Sequence, residues 1–223
     1  MANTSTTTDP RAPRRRQRAI AVIAAMLVST AAASTLAVPV AGAAPAAPAA
    51  AVSTRAADPA ALLASSALFA YAADDLSSYA RLRNQLATVI ATRLGLDPEE
   101  MSVAWASADM RHQRALLTAL TQLGVSYRRN ALRPGIAFDC SGLTTYAWSS
   151  VGVSIPRSSG RQIRAAAPRD ASTAQAGDLV HYPGHVMMWL GVGRAIVHAS
   201  DHSRPVEVRV IKRSSLRFGD PTG

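Results

Sequence analysis

Apolar positions recur every three to four residues between about residues 59 and 123, and from residue 125 they give way to short alternating runs broken by Gly and Pro. Asp58-Pro59 reads as an N-cap followed by proline at the first helical position, with Leu62, Leu63 and Phe69 available to one face. A second helix is predicted from Ser77 or Ser78 to Leu94, with Leu82, Leu86, Val89 and Ile90 in helical spacing and Gly95 as its stop. Asp97-Pro98-Glu99-Glu100 resembles a capping box and opens a third. Asp109 caps a fourth, whose Leu116, Leu117, Leu120 and Leu123 make a stripe ending at Gly124. Strand patterns follow at Leu179–Tyr182, His185–Leu190, Ala195–His198 and Val206–Ile211. Helices first and strands later predict an α+β domain rather than an alternating parallel sheet.

Ahead of the helices, Arg14-Arg15-Arg16-Gln17-Arg18 and the apolar stretch from Ala19 to Val38 lead to small residues at Ala41-Gly42-Ala43. This is the pattern of a secretory signal peptide over residues 1–43. The apolar run also has the length of a membrane anchor, the competing reading, and either way the rest of the chain is expected to work outside the cytoplasm. The expected order is then an Ala/Pro-rich linker at 44–57, a helical segment at 58–108 and a catalytic-type domain at 109–223, with no stable membrane insertion once the leader is removed. The helices of 58–108 are expected to pack on the following domain and to limit access to its cleft.

Composition narrows the class. A single cysteine in 223 residues excludes an internal disulfide and cysteine-rich zinc motifs. The formal charge is +10, and residues 115–223 hold thirteen basic against six acidic residues, while 44–114 are nearly balanced. A basic second half suits an anionic partner. Nucleic acid is disfavoured, because the arginines are scattered without aromatic interleaving or a binding motif.

Cys140 lies in Phe138-Asp139-Cys140-Ser141-Gly142, just before a helical pattern. At a helix N-terminus the N–H groups and dipole are expected to lower the thiol pKa. A cysteine nucleophile needs a base, and the base an orienting group. His112 is expected on the solvated side of its helix, and His181 and His202 in loops, with His202 a weak alternative for the orienting position. No plausible zinc set is seen, so neither metal nor cofactor is expected. His185 opens one strand and His198 closes the next. A two-residue loop at Gly191-Val192 sets them directly opposite, and one at Val192-Gly193 sets His198 against Met187, diagonal to His185. Both registers put the two imidazoles on one face.

Five blocks in order resemble the NlpC family of papain-like cell-wall peptidases: Tyr127 with Phe138-Asp139-Cys140-Ser141-Gly142-Leu143, then Ile155-Pro156-Arg157-Ser158-Ser159 with Gln162, Gly177-Asp178-Leu179-Val180, Gly184-His185-Val186 and Ile196-Val197-His198-Ala199. The resemblance implies a papain-like α+β fold, a helix bearing the cysteine packed on an antiparallel sheet. It implies Cys140 as nucleophile, His185 as base and His198 as the polar residue that orients it. Tyr127, Asp139, Ser141, Arg157 and Ser158 would line the substrate cleft. The implied substrate is the peptidoglycan stem peptide, an anionic polymer of the cell wall, cut between D-glutamate, through its side-chain carboxyl, and a diamino acid. An amidase or acyltransferase on the same triad, or an idle wall-binding protein, are the alternatives. Arg128-Arg129-Asn130 after Tyr127 and Met187 after His185 depart from the family pattern.

Overall fold

The structure is a computed structural model that describes residues 58–200 and 204–223. The expected leader, the linker and His202 lie outside the described residues. Among the described residues no helix is long and apolar enough to cross a membrane.

Helix α1 (Pro59–Ala72) starts where Asp58 accepts from the Ala60 N–H at 2.9 Å, and the same carboxylate takes both Nη groups of Arg93 at 2.8 Å. Its fully buried residues are all alanines, at positions 60, 61, 64, 67 and 70, with Leu63, Leu68 and Tyr71 packed partly buried beside them. Leu62 and Phe69, expected on the buried face, are 56% and 77% exposed. The small residues let α1 pack on its neighbours while Leu62 and Phe69 point outward. Helix α2 (Leu76–Leu94) is capped by Asp75 and ends at Gly95, whose φ of 68° suits a residue without Cβ. In α3 (Pro98–Ser107) the Asp97 carboxylate accepts from the Glu99 and Glu100 N–H groups. Helix α4 (Met110–Leu120) follows on Asp109.

A small sheet comes next: β1 (Ser126–Tyr127), β2 (Leu132–Arg133) and β3 (Ala137–Phe138), in the order β1-β3-β2. Helix α5 (Cys140–Ser149) leaves directly from β3, and α6 (Ser159–Ala165) follows. The main antiparallel sheet is formed by β4 (Ala167–Arg169), β5 (Leu179–Tyr182), β6 (His185–Trp189), β7 (Ala195–Ala199), β8 (Val206–Val210) and β9 (Arg217–Asp220), in the order β4-β9-β5-β6-β7-β8. The expected strands are all present.

One face of this sheet, with Leu179, Val186, Met188 and Val197, packs into a core shared with Leu143, Ala147 and Trp148 of α5 and Leu116 and Leu120 of α4. That core runs without a break into α1–α3, and the buried Trp105 donates from its indole N–H to the Leu190 carbonyl at 2.8 Å. The helices of 58–108 therefore pack on the rest of the domain, as expected. Val180, Met187, Trp189 and Ile196 form a smaller cluster on the other face. Alternation along β6 and β7 gives His185 and His198 the parity of this second face.

Candidate active site

Asp139 sets the start of α5. Its backbone N–H donates to the Ala131 carbonyl, and its Oδ1 accepts from the Gly142 N–H at 2.6 Å, an N-cap that leaves Cys140 as the first helical residue. Gly142 has to be glycine here, because a Cβ would overlap the Ala131 carbonyl and crowd Asp139 Oδ1.

Cys140 is half-buried and unpaired in any disulfide. Its thiol pKa moves opposite to the sequence-based expectation. Burial pushes it up and the Asp139 carboxylate adds to this, outweighing the nearby backbone N–H groups of Val186, Ser141 and Cys140, which favour the thiolate and pull the other way. The N-terminus of α5 does act on the sulfur, but desolvation exceeds it. The influence of the Val186 N–H also locates the thiol near the start of β6, where Val186 follows His185.

Across the β6–β7 pair Met188 faces Val197 and Trp189 faces Ile196, which places His198 opposite Met187, the diagonal one of the two expected registers. The rings meet edge to face, with His185 Nε2 2.8 Å from His198 Nδ1. Both are buried. The sequence reading missed what lies beyond them. Glu207 of β8 stands directly across from His198 in the β7–β8 register, with Oε1 3.4 Å from His198 Nε2, and Arg204 donates to Glu207 Oε2 at 2.7 Å. The available signal was the equal spacing of positions 198 and 207 about the midpoint between the two strand patterns.

Four of the five cleft residues implied by the resemblance come together. Asp139, Ser141, Arg157 and Ser158, with Asn130, line a cavity of about 340 Å³. Arg157 donates through Nη1 to Asp139 Oδ1 and Ser141 Oγ, and through Nη2 to Asp139 Oδ2 and the Ala131 carbonyl. Ser158 caps α6 by position without using its hydroxyl for the cap. Tyr127 stands on β1 opposite Phe138, two residues before Cys140. Gln162 ties α6 to α5, donating to the Ser141 carbonyl and Thr145 Oγ1 and accepting from Thr144 Oγ1.

His185 and His198 line a second cavity of about 240 Å³ with Tyr182, Met187 and Ser200, walled by Arg209, Lys212 and Arg213. Arg213 lies over the Tyr182 ring at 4.3 Å. No residue of 58–108 lines either cavity.

Two histidines are not where the sequence put them. His112 is fully buried in α4, with Nε2 3.0 Å from Asp178 and 3.3 Å from Asp220 and Nδ1 2.7 Å from Asp109. It continues the stripe of Leu116 and Leu120 one turn earlier, and the charges flanking it in sequence hid that. Burial pulls its pKa down, but the hydrogen bond to Asp178 and the fields of Asp178, Asp109 and Asp220 together raise it. His112, Asp178 and Asp220 offer ligand-type atoms within 4.8 Å of one another, a set invisible in sequence because its members lie far apart in the chain. Arg169 pairs with Asp220, and the surrounding carboxylates favour the charged form of His112. His181 is on β5, buried, with its pKa lowered by burial and then by Arg217 and Arg164, which leaves it neutral.

A half-buried thiol at a helix start, near the strand that opens with one of two bonded imidazoles, is the equipment of a cysteine acyl-transfer site. Residues 124–217 match the NlpC/P60 family and make up a domain of that family. A probable endopeptidase of Corynebacterium glutamicum is 41% identical over 107 residues, 45% of this chain and 50% of that protein. The peptidoglycan endopeptidase RipB of Mycobacterium tuberculosis is 40% identical over 85 residues, 36% of this chain and 35% of its own. The P60 domain of an antigen from M. avium subspecies paratuberculosis is 30% identical, with 51% of this chain covering 96% of that domain at a TM-score of 0.45. The chain thus spans half or less of the curated relatives it matches.

Proposed function

We propose that the protein is a peptidoglycan hydrolase acting outside the cytoplasm, a cysteine endopeptidase that cuts stem peptides at the γ-D-glutamyl–diamino acid bond. The observation that carries this reading is the 2.8 Å contact of His198 Nδ1 with Nε2 of His185, which is next in sequence to Val186, whose N–H acts on the Cys140 thiol. The relatives' names and the basic wall of the second cavity support it.

Cys140 is the nucleophile. His185 takes its proton as the sulfur attacks the amide carbon, and the Cys140 backbone N–H is placed to stabilise the oxyanion. The resulting imidazolium gives that proton to the departing amine as the C–N bond breaks, leaving a thioester. Water, deprotonated by His185, attacks the thioester carbon, and the thiolate leaves and is reprotonated. His198 holds His185 in the required tautomer. Because the amine must depart beside the imidazole that protonates it, the diamino acid occupies the cavity of His185, Arg209, Lys212 and Arg213, and the glutamyl side that of Asp139, Ser141, Arg157 and Ser158.

The test is incubation of residues 44–223 and of its Cys140→Ala variant with L-Ala-γ-D-Glu-diaminopimelate peptides and with whole sacculi, with products read by mass spectrometry. Cleavage after D-Glu by the unmodified protein alone is expected. Intact peptides and sacculi together with an inert thiol would overturn the reading.

A further inference from the structure

We propose that Glu207 is a positioning residue of this site: through His198 it fixes which nitrogen of His185 carries the proton, and so makes His185 a base toward Cys140. The inference rests on the triad reading above and deepens it.

The argument follows from what each group can donate. A carboxylate only accepts, so the contact of Glu207 Oε1 with His198 Nε2 at 3.4 Å requires the His198 proton on Nε2. A neutral imidazole with its proton there presents a lone pair at Nδ1. The 2.8 Å contact between His198 Nδ1 and His185 Nε2 must then be a bond donated by His185. With its proton on Nε2, His185 carries its lone pair on Nδ1, and that nitrogen can receive the thiol proton. Reversing the first bond reverses the chain: a proton on His198 Nδ1 would donate to His185 Nε2 and force the His185 proton onto Nδ1, leaving no lone pair there to receive the thiol proton. Two imidazoles in contact have no preferred direction of their own. A third group that accepts from His198 Nε2 sets it in the direction the site needs.

Glu207 is built to be that group. It stands in strict cross-strand register with His198, so β7–β8 pairing delivers its side chain to this partner. Its other oxygen is occupied by Arg204 at 2.7 Å, which holds the carboxylate in place and leaves Oε1 for His198. The Glu207 side chain is 19% exposed and His198's 7%. When His185 becomes an imidazolium, both of its nitrogens donate, and the same chain transmits a share of the Glu207 charge toward it without moving a proton.

The experiment is run in an Arg204→Ala background, where the amide oxygen of a glutamine is left to accept from His198 Nε2, and compares Glu207→Gln with Glu207→Met, of similar length and without an acceptor. The readouts are the iodoacetamide alkylation rate of Cys140 at pH 7, and kcat and KM on the stem peptide. Loss of the acceptor is expected to slow alkylation and lower kcat by about tenfold or more, with KM within about twofold, while the Gln variant keeps most of both. Equal behaviour of the two variants, whether both active or both impaired, would overturn the role. Alkylation of the unmodified protein no faster than that of His185→Ala would instead overturn the triad reading on which it rests.

Discussion

Arg157 grips Asp139 with both arms of its guanidinium, Nη1 to Oδ1 at 2.9 Å and Nη2 to Oδ2 at 2.8 Å, while Oδ1 also caps α5. The same arginine reaches Ser141 Oγ and the Ala131 carbonyl, so one planar fork ties the helix start to the β2 approach and to the wall of the first cavity. Lysine supplies a point charge and cannot make this two-armed contact. Arg157→Lys and Arg157→Ala are both expected to raise KM for the stem peptide severalfold. Their loss in urea stability should be only about 1 kcal/mol, since the guanidinium is 42% exposed. Steady-state kinetics beside urea melts check this, and unchanged KM in both variants would sink it.

Gly142 makes a second point about the same turn. An added Cβ would collide with the Ala131 carbonyl, which is backbone and cannot swing away as a side chain could. Gly142→Ala is expected to lose about 2 kcal/mol of stability through overpacking and to lower kcat more than KM, because Cys140 shifts with the helix start. Full activity with an unchanged melt would show that the turn relaxes freely.

The resting thiol is held up by burial and by Asp139. Proton removal therefore has to come from a neighbour during attack. In His185→Ala the alkylation rate of Cys140 is expected to climb with pH along a curve displaced above that of an ordinary cysteine, with little reaction at pH 7. Rapid alkylation of that variant at pH 6 would show that the helix start alone makes the thiolate.

His112 gives a pH signature away from the site. Its folded pKa is raised, so the stability it contributes is fully present below about pH 6.5, its unfolded value, and is lost as pH climbs through the folded value. Asp109 and Asp220 have the opposite sign: burial works against their ionisation, but hydrogen bonds from His112 and Arg111, and from Thr222 and Arg169, outweigh it and lower both values. Their contribution is lost only as pH falls below the ordinary carboxylate range. His112→Gln is expected to cost about 3 kcal/mol at pH 5.5 and clearly less at pH 8.5, by urea denaturation. A difference independent of pH would mean that His112 is neutral throughout.

Much of this was legible beforehand because local rules coincide with the fold. Asp58, Asp97, Asp109 and Gly95 signal helix ends through chemistry that needs no tertiary partner, and β5–β8 announce themselves by alternation. Strands β4 and β9 do not, since Pro168 and Gly219 read as breakers and the two strands complete each other only across the sheet edge. Alanines on α1 proved more deeply buried than its leucines because packing distance, not side-chain size, decides there. His112 and Glu207 were hidden for one reason: each owes its role to partners on other elements, Asp178 and Asp220 for the first, and His198 across a strand pair for the second.

The second cavity bears on substrate charge. Arg209, Lys212 and Arg213 wall it, and among the described residues no acidic side chain lines it. A diamino acid with free carboxylates would meet three cations, each worth up to about 1 kcal/mol at an exposed position and weakened by salt. Amidating the carboxylates on the amine side of the scissile bond is therefore expected to lower kcat/KM by about tenfold. Raising the salt should shrink the gap between free and amidated peptides. The Arg209→Ala and Arg213→Ala variants should each close part of it, with little change toward the amidated peptide. A gap that survives both substitutions and high salt would place the discrimination elsewhere, in the Asp139–Arg157 cavity, where the acceptor set is fixed by an ion pair and screening by salt is weaker.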